Sequence, residues 1–264
     1  MITLDLLVDT ARQKTAADRA VTPPAELQAR LRSSSALDLP AGRLRRALSG
    51  DGMSVIAEVK GASPLSGPLR TPFDPVDLAC CYVGAGAAAV SVLTEETFFA
   101  GSLAHLASVA AAVELPVLRK DFIVEGYQIE QAALAGAAAV LLIAEALEPS
   151  QLEDLVGLAH QLRLDALVEL HDSDSVAAVV AAGSNLIGVN NRDLRSMRVD
   201  WRHSLRVAEQ LPADSVWVSE SGIRSAGELR ELEAAGYHAV LVGTSLVRAT
   251  DPATALQRLL IGDG

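Results

Sequence analysis

The stretch AAVLLIAEALEPSQLEDLVGLAHQLRLDALVEL, residues 138–170, contains one full repeat of the pattern that organises this chain. It opens on a branched-aliphatic run, AAVLLI (138–143), with no polar alternation, as a strand covered on both faces requires. From Pro149 to Leu162 apolar residues recur at three- and four-residue spacing, which marks an amphipathic helix with proline at its start. DALVEL (165–170) then begins a second strand of the same kind. Strand, helix and strand in that order make a parallel pair joined by a crossover.

The same unit repeats on both sides. Further runs are SVIAEV (54–59), AAVSVL (88–93), PVLRK (116–120), LIGVN (186–190), SVWVSE (215–220) and HAVLVG (238–243). Helical stretches such as Pro75–Gly84 and Gly126–Gly136 separate them. Eight such units predict an α/β chain closed into a (β/α)8 TIM barrel. Gly86, Gly136, Gly183 and Gly236 each stand just before a strand, where a left-handed helix cap favours glycine. The competing arrangement, an open doubly wound sheet, would carry a dinucleotide-binding glycine fingerprint after its first strand, and none is there. Residues 1–48 fall outside the alternation. LDLLVDTARQ (4–13) is helical by pattern, Pro23-Pro24 turns the chain, and a second short helical stretch leads to the basic LRRAL (44–48). The expectation is a single TIM-barrel domain over 1–264, with residues 1–48 as a helical extension capping the barrel mouth and 49–264 as the barrel.

Composition narrows the partners. The 264 residues are half apolar and carry a formal charge of −11, so a nucleic-acid backbone or an anionic membrane surface is repelled. An anionic ligand therefore needs a locally positive pocket. Cys80 and Cys81 are adjacent, a poor arrangement for a disulfide, and read as reduced, buried small side chains of a cytoplasmic protein. The opening MITLDLLVDTARQK has no basic region ahead of an apolar block, and apolar windows such as 132–144 fall short of a bilayer span. The five histidines (105, 160, 171, 203 and 238) lack metal-ligand spacing, and neither a CxxC pair nor a GxSxG elbow occurs, so no metal and no serine triad is expected.

In a barrel the chemistry collects where strands end. Polar residues at those ends are Glu58 and Lys60 on the first strand, Lys120 and Asp121 on the third, Glu169 and His171 on the fifth, Asn190 and Arg192 on the sixth, and Glu220 on the seventh. Residues two apart share a face, so Glu58 with Lys60, and Asn190 with Arg192, are expected to point into the mouth. One such residue alone is ordinarily a solvated rim group; five of eight strands carrying one at the equivalent place points to a site. His171 reads as a rim residue. Two loops add a second signal: SESGIRS (219–225) and VGTSLVR (242–248) each put glycine beside a hydroxyl ahead of a helix. The loops after the last two strands are where barrels place phosphate.

Taken together, IAEVK (56–60) with Ser63-Pro64, SVLTEETFFAGS (91–102), LRKDFI (118–123), LVELH (167–171), GVNNRDL (188–194), SESGI (219–223) and VGTSLVR (242–248) resemble the indole-3-glycerol-phosphate synthase family, one string per strand end and in order. The resemblance implies a cofactor-free, metal-free enzyme of tryptophan biosynthesis, a carbon-carbon lyase acting on a phosphorylated anthranilate substrate, as a monomer or weak homo-oligomer. It implies Lys120 as general acid toward the substrate ketone, Glu169 as acid/base in dehydration, and Lys60 for the substrate carboxylate and proton transfer. Glu58, Asn190, Arg192 and Glu220 would position the substrate, and Ser63, Ser221, Gly222, Gly243 and Thr244 would hold the phosphate. The first helix would act as a lid. Neighbouring cations are expected to lower the Lys120 pKa toward neutrality. The chain departs from the family pattern at Gly61, Leu65, Ser66 and Thr97, where basic residues or serine are usual, which reduces positive charge at the mouth. Two alternatives stay open: another phosphate-binding barrel, such as phosphoribosylanthranilate isomerase or the tryptophan-synthase α subunit, or a paralogue that acts on a related phosphorylated substrate or only binds one.

Overall fold

A computed structural model describes residues 3–64, 66–193 and 195–262. Eight parallel strands close on themselves: β1 (Ser54–Val59), β2 (Ala89–Leu93), β3 (Val117–Lys120), β4 (Ala139–Ile143), β5 (Asp165–Leu170), β6 (Leu186–Asn190), β7 (Val216–Glu220) and β8 (Ala239–Val242). Each pairs with its sequence neighbours, and β1 closes on β8 with Ile56 opposite Leu241. Every expected run holds its strand to within one residue at either end. The extra residues are those, such as Pro116 and Ser215, that lead into the ladder.

Strand parity sorts the apolar residues into two cores. Ile56, Ala89, Leu118, Leu141, Leu167, Val218 and Leu241 fill the barrel interior. Their neighbours Val55, Val90, Val140, Val168 and Val240 face the surrounding helices. Burying each such valine, leucine or isoleucine contributes about 1.5–3 kcal/mol, and strands buried on both faces show no polar alternation. Gly86, Gly136, Gly183 and Gly236 take φ of 97°, 85°, 78° and 97°, the left-handed caps expected of them.

The extension does more than cover one end. Its helices are α1 (Leu4–Val21), α2 (Pro24–Ser33) and α3 (Arg43–Leu48). Leu7, Val8 and Ala11 of α1 are buried in the same cluster as Phe122, Val124 and Ile143 at the strands' C-terminal ends, so α1 is the part that lies at the mouth. α2 runs down the outside, where Gln28 donates to Glu130 at 2.8 Å. α3 plugs the opposite end with Leu44 and Leu48, both fully buried. Gly42 before α3 has no side chain to cap it. Asp165, the first residue of β5, accepts instead from the backbone amides of Leu44 (2.8 Å) and Arg45 (3.2 Å).

Cys80 and Cys81 correct an expectation. They sit on α4 (Pro75–Gly84), whose inner face is Leu78, Ala79 and Tyr82, so Cys80 is exposed and Cys81 half-buried; both thiols are free. No helix among the described residues is long and apolar enough to cross a membrane.

Candidate active site

The interior parity that buries Ile56 also aims Glu58 inward, and the same holds for Lys120 above Leu118, Glu169 above Leu167, Asn190 above Gly188 and Glu220 above Val218. These residues meet at a cavity of about 430 Å³ at the C-terminal end of the strands. The twelve residues to which the resemblance gives roles all line it: Glu58, Lys60, Ser63, Lys120, Glu169, Asn190, Arg192, Glu220, Ser221, Gly222, Gly243 and Thr244. Its apolar walls, Leu7, Phe99, Phe122, Leu141, Ile143 and Leu241, were not marked by the sequence, because an apolar wall residue has the same pattern as a core residue.

The floor is a charge network. The Lys120 ammonium donates to Glu169 Oε2 at 2.6 Å and pairs with Glu220 Oε2 at 3.2 Å. Glu169 Oε1 accepts from Asn190 Nδ2 at 2.9 Å, and Asn190 Oδ1 accepts from the Arg192 amide at 2.9 Å. The Arg192 guanidinium donates to the Met197 carbonyl at 3.1 Å. Lys60 and Glu58 pair at 2.5 Å. Glu169 and Glu220 are only 2% and 1% exposed, so both need compensation for lost water.

The protonation pattern corrects the expectation for Lys120. Burial alone would lower its pKa, but the carboxylates of Glu169, Glu220 and Glu58 outweigh burial and raise it above the ordinary lysine value. The causes of the shift include no cation among the described residues. Burial likewise opposes the charged form of Glu169, yet Lys120 and the hydrogen bonds from Lys120 and Asn190 hold it below the usual carboxylate range. Glu220 goes the other way. Burial, together with the negative charge of Glu169, pushes it up to about 8 despite Lys120.

Two glycines make room for these carboxylates. A Cβ on Gly188 would lie 2.3 Å from Glu220 Oε1, and one on Gly243 would lie 2.2 Å from Glu58 Oε1. At the end of β7, Ser221 and Gly222 take φ of 69° and 89°. The loops after β7, β8 and β1 carry Ser221, Gly222, Gly243, Thr244, Ser63 and Ser66, and those three strands are contiguous in the barrel. Arg224 and Arg248 line the cavity from the same loops and the helix that follows. Their places inside SESGIRS and VGTSLVR were the available signal, and it was missed.

Other marked residues serve the frame. Asp121 accepts from Arg119 at 2.8 Å and from the Phe122 amide at 2.8 Å, fixing the end of β3. His171 stacks on His203 at 4.4 Å and bonds the Asn190 carbonyl at 2.7 Å, half-buried behind the site. Gly61 lies outside the cavity, packed so that a Cβ would sit 3.3 Å from the Ala100 carbonyl oxygen. Thr97 faces a separate small cleft beneath α1, Ser66 lines the main cavity, and Leu65 lies outside the described residues. The described residues hold no histidine, cysteine and carboxylate group that could bind a metal.

Comparison with known proteins places this chain in a family. The profile described as "Indole-3-glycerol phosphate synthase" matches residues 4–259. A protein of that name from Rhodopirellula baltica is 48% identical over 258 residues, covering 97% of each chain. "Indole-3-glycerol phosphate synthase 2" of Streptomyces coelicolor is 46% identical over 254 residues, covering 96% of this chain and 97% of its own. Among solved structures, a 3-hexulose-6-phosphate synthase superposes with a TM-score of 0.65 at 15% identity, covering 80% of this chain and all of its own, a likeness of fold alone.

Proposed function

The chain belongs to the indole-3-glycerol phosphate synthase family, an enzyme family of tryptophan biosynthesis, and from that premise we propose how its barrel mouth works as a carbon-carbon lyase. The reaction is a decarboxylating, dehydrating ring closure of 1-(2-carboxyphenylamino)-1-deoxyribulose 5-phosphate to indole-3-glycerol phosphate. The substrate brings an aromatic carboxylate, an amino ketone and a phosphate. Its ring carbon must attack the C2′ ketone, after which CO2 and water leave.

The observation that carries this reading is the setting of Lys120. Two of its three N–H groups are taken by Glu169 and Glu220, which leaves one for a ketone oxygen in the cavity. The surrounding carboxylates keep the ammonium charged, so it arrives as an acid able to stabilise the developing oxyanion. Glu169, ionised and oriented by Asn190, is the base that removes the C1′ proton during dehydration. Lys60 meets the substrate carboxylate and shares in proton transfer, while Glu58, Asn190, Arg192 and Glu220 position the sugar and the anthranilate. Ser63, Ser221, Gly222, Gly243 and Thr244 hold the phosphate. Arg224 and Arg248 add positive charge to the cavity in which Ser66 stands. The apolar wall from Leu7 to Phe122 takes the aromatic ring and excludes water, with α1 as lid.

The purified protein, given this substrate, is expected to develop indole absorbance and fluorescence with release of CO2. Lys120→Ala is expected to lower kcat by about 10²–10⁴ with the fold intact by circular dichroism. An active wild type whose Lys120→Ala variant keeps full activity would remove this mechanism.

A further inference from the structure

The two buried glutamates beside Lys120 are not equivalent. Glu169 has both oxygens supplied with donors, Oε2 by Lys120 and Oε1 by Asn190. Glu220 shares only Oε2 with Lys120. Its Oε1 is buried without any hydrogen-bond partner among the described residues, pressed against the backbone at Gly188. A buried carboxylate oxygen with no donor is costly, whereas a carboxylic acid needs fewer donors. Charge balance agrees. One ammonium stands between two buried carboxyls, while Glu58 is already matched by Lys60, and the other cations lining the cavity, Arg192, Arg224 and Arg248, make no ion pair with either carboxyl. A proton on Glu220 makes the Lys120, Glu169 and Glu220 group neutral.

The proposed reaction gives that proton a use. Ring closure needs one proton for the ketone oxygen, and departure of the resulting hydroxyl as water needs another, while only one is returned from carbon. Resting on the reading of the site given above, we propose that Glu220 enters the cycle protonated and reloads Lys120 between the two steps, so that Lys120 serves twice as donor to one substrate oxygen.

The steps balance. The ring carbon bonds to C2′, and the carbonyl pair takes a proton from Lys120 to give a hydroxyl. The neutral Lys120 amine takes the Glu220 proton across 3.2 Å. The bond to the carboxylate breaks as CO2 leaves, and its electron pair restores the aromatic ring. Lys120 then protonates the hydroxyl, which departs as water, while Glu169 takes the proton from C1′ and passes it to Lys120 across 2.6 Å. Solvent returns one proton to Glu220, equal to the one proton the net reaction consumes. The raised affinity of Glu220 for its proton, up to about 8, suits a group that must be filled at neutral pH and emptied once per turnover.

A single-turnover rapid-quench experiment with substrate labelled in the carboxyl carbon separates the two steps. In Glu220→Gln, CO2 release is expected within about threefold of wild type, while indole formation slows by about 100-fold or more and a hydroxylated indoline accumulates. Equal slowing of both steps, or indole formation at the wild-type rate, overturns the proposal. Should that variant fail to fold, infrared spectra of the wild type decide: one protonated carboxyl is expected to be lost between about pH 6 and about pH 10, and its absence at the lower pH overturns the proposal. A wild type that releases no CO2 and forms no indole product refutes instead the function itself, so the two failures are distinguishable.

Discussion

Gly188 and Gly243 lack side chains because Glu220 and Glu58 occupy the space, with the nearest oxygens 2.3 and 2.2 Å from where a Cβ would stand. Neither has a left-handed backbone, so the constraint is steric rather than conformational. Gly188→Ala is expected to displace the Glu220 carboxyl from Lys120, cost about 1–3 kcal/mol of stability by overpacking, and lower kcat more than it raises KM. Urea unfolding and steady-state kinetics check both halves; an alanine variant with unaltered kcat would mean that Glu220 need not hold its place. The sequence marked Glu220 as a polar residue at a strand end, and that was enough to put it in the site. It could not show Gly188 beneath it, because that relation is set by the register of neighbouring strands, with Gly188 opposite Val218 and Asn190 opposite Glu220.

At the level of elements, strand limits were legible because fully buried strands have continuous apolar runs, and glycine caps were legible because a left-handed φ narrows the choice of residue. The arrangement of residues 1–48 was not. The helices themselves were readable from their pattern, but their destinations depend on partners far away in the chain, such as Asp165, which lies 121 positions from Leu44. Inside DALVEL, Asp165 looked like the polar start of a strand. Its carboxylate in fact accepts the first free amides of α3. Asp165→Ala is expected to lower stability by about 1–3 kcal/mol, as loss of a cap together with exposure of buried donors requires, while kcat per folded molecule stays at the wild-type level. Calorimetry alongside active-site titration tests this, and a lowered kcat with unchanged melting would contradict a purely structural role.

For the whole molecule, the two central glutamates tie stability to pH with opposite signs. Glu220 has its pKa raised in the folded state, from about 4.5 to about 8, so across that window the folded chain holds a proton that the unfolded chain has lost. Stability from this group is therefore complete below about pH 4.5 and declines as pH rises toward 8. Glu169 is lowered, so its contribution is present above the ordinary carboxylate value and is lost as pH falls. Removing the Glu220 titration in Glu220→Gln is expected to make the melting temperature fall less steeply than in wild type between about pH 5 and 8, measured by scanning calorimetry. Equal slopes would show that Glu220 titrates alike in both states.

The strap formed by residues 1–48 also has a consequence for biogenesis. It is translated before the surfaces that receive it, Phe122 and Val124 at one end and Ala137 and Asp165 at the other. Its leucines therefore wait without their final contacts until the fifth strand has emerged, and the cylinder itself cannot seal until β8 reaches β1. A segment made before the barrel is thus among the last to settle, and a nascent chain halted before Asp165 would leave α3 open to a chaperone or protease.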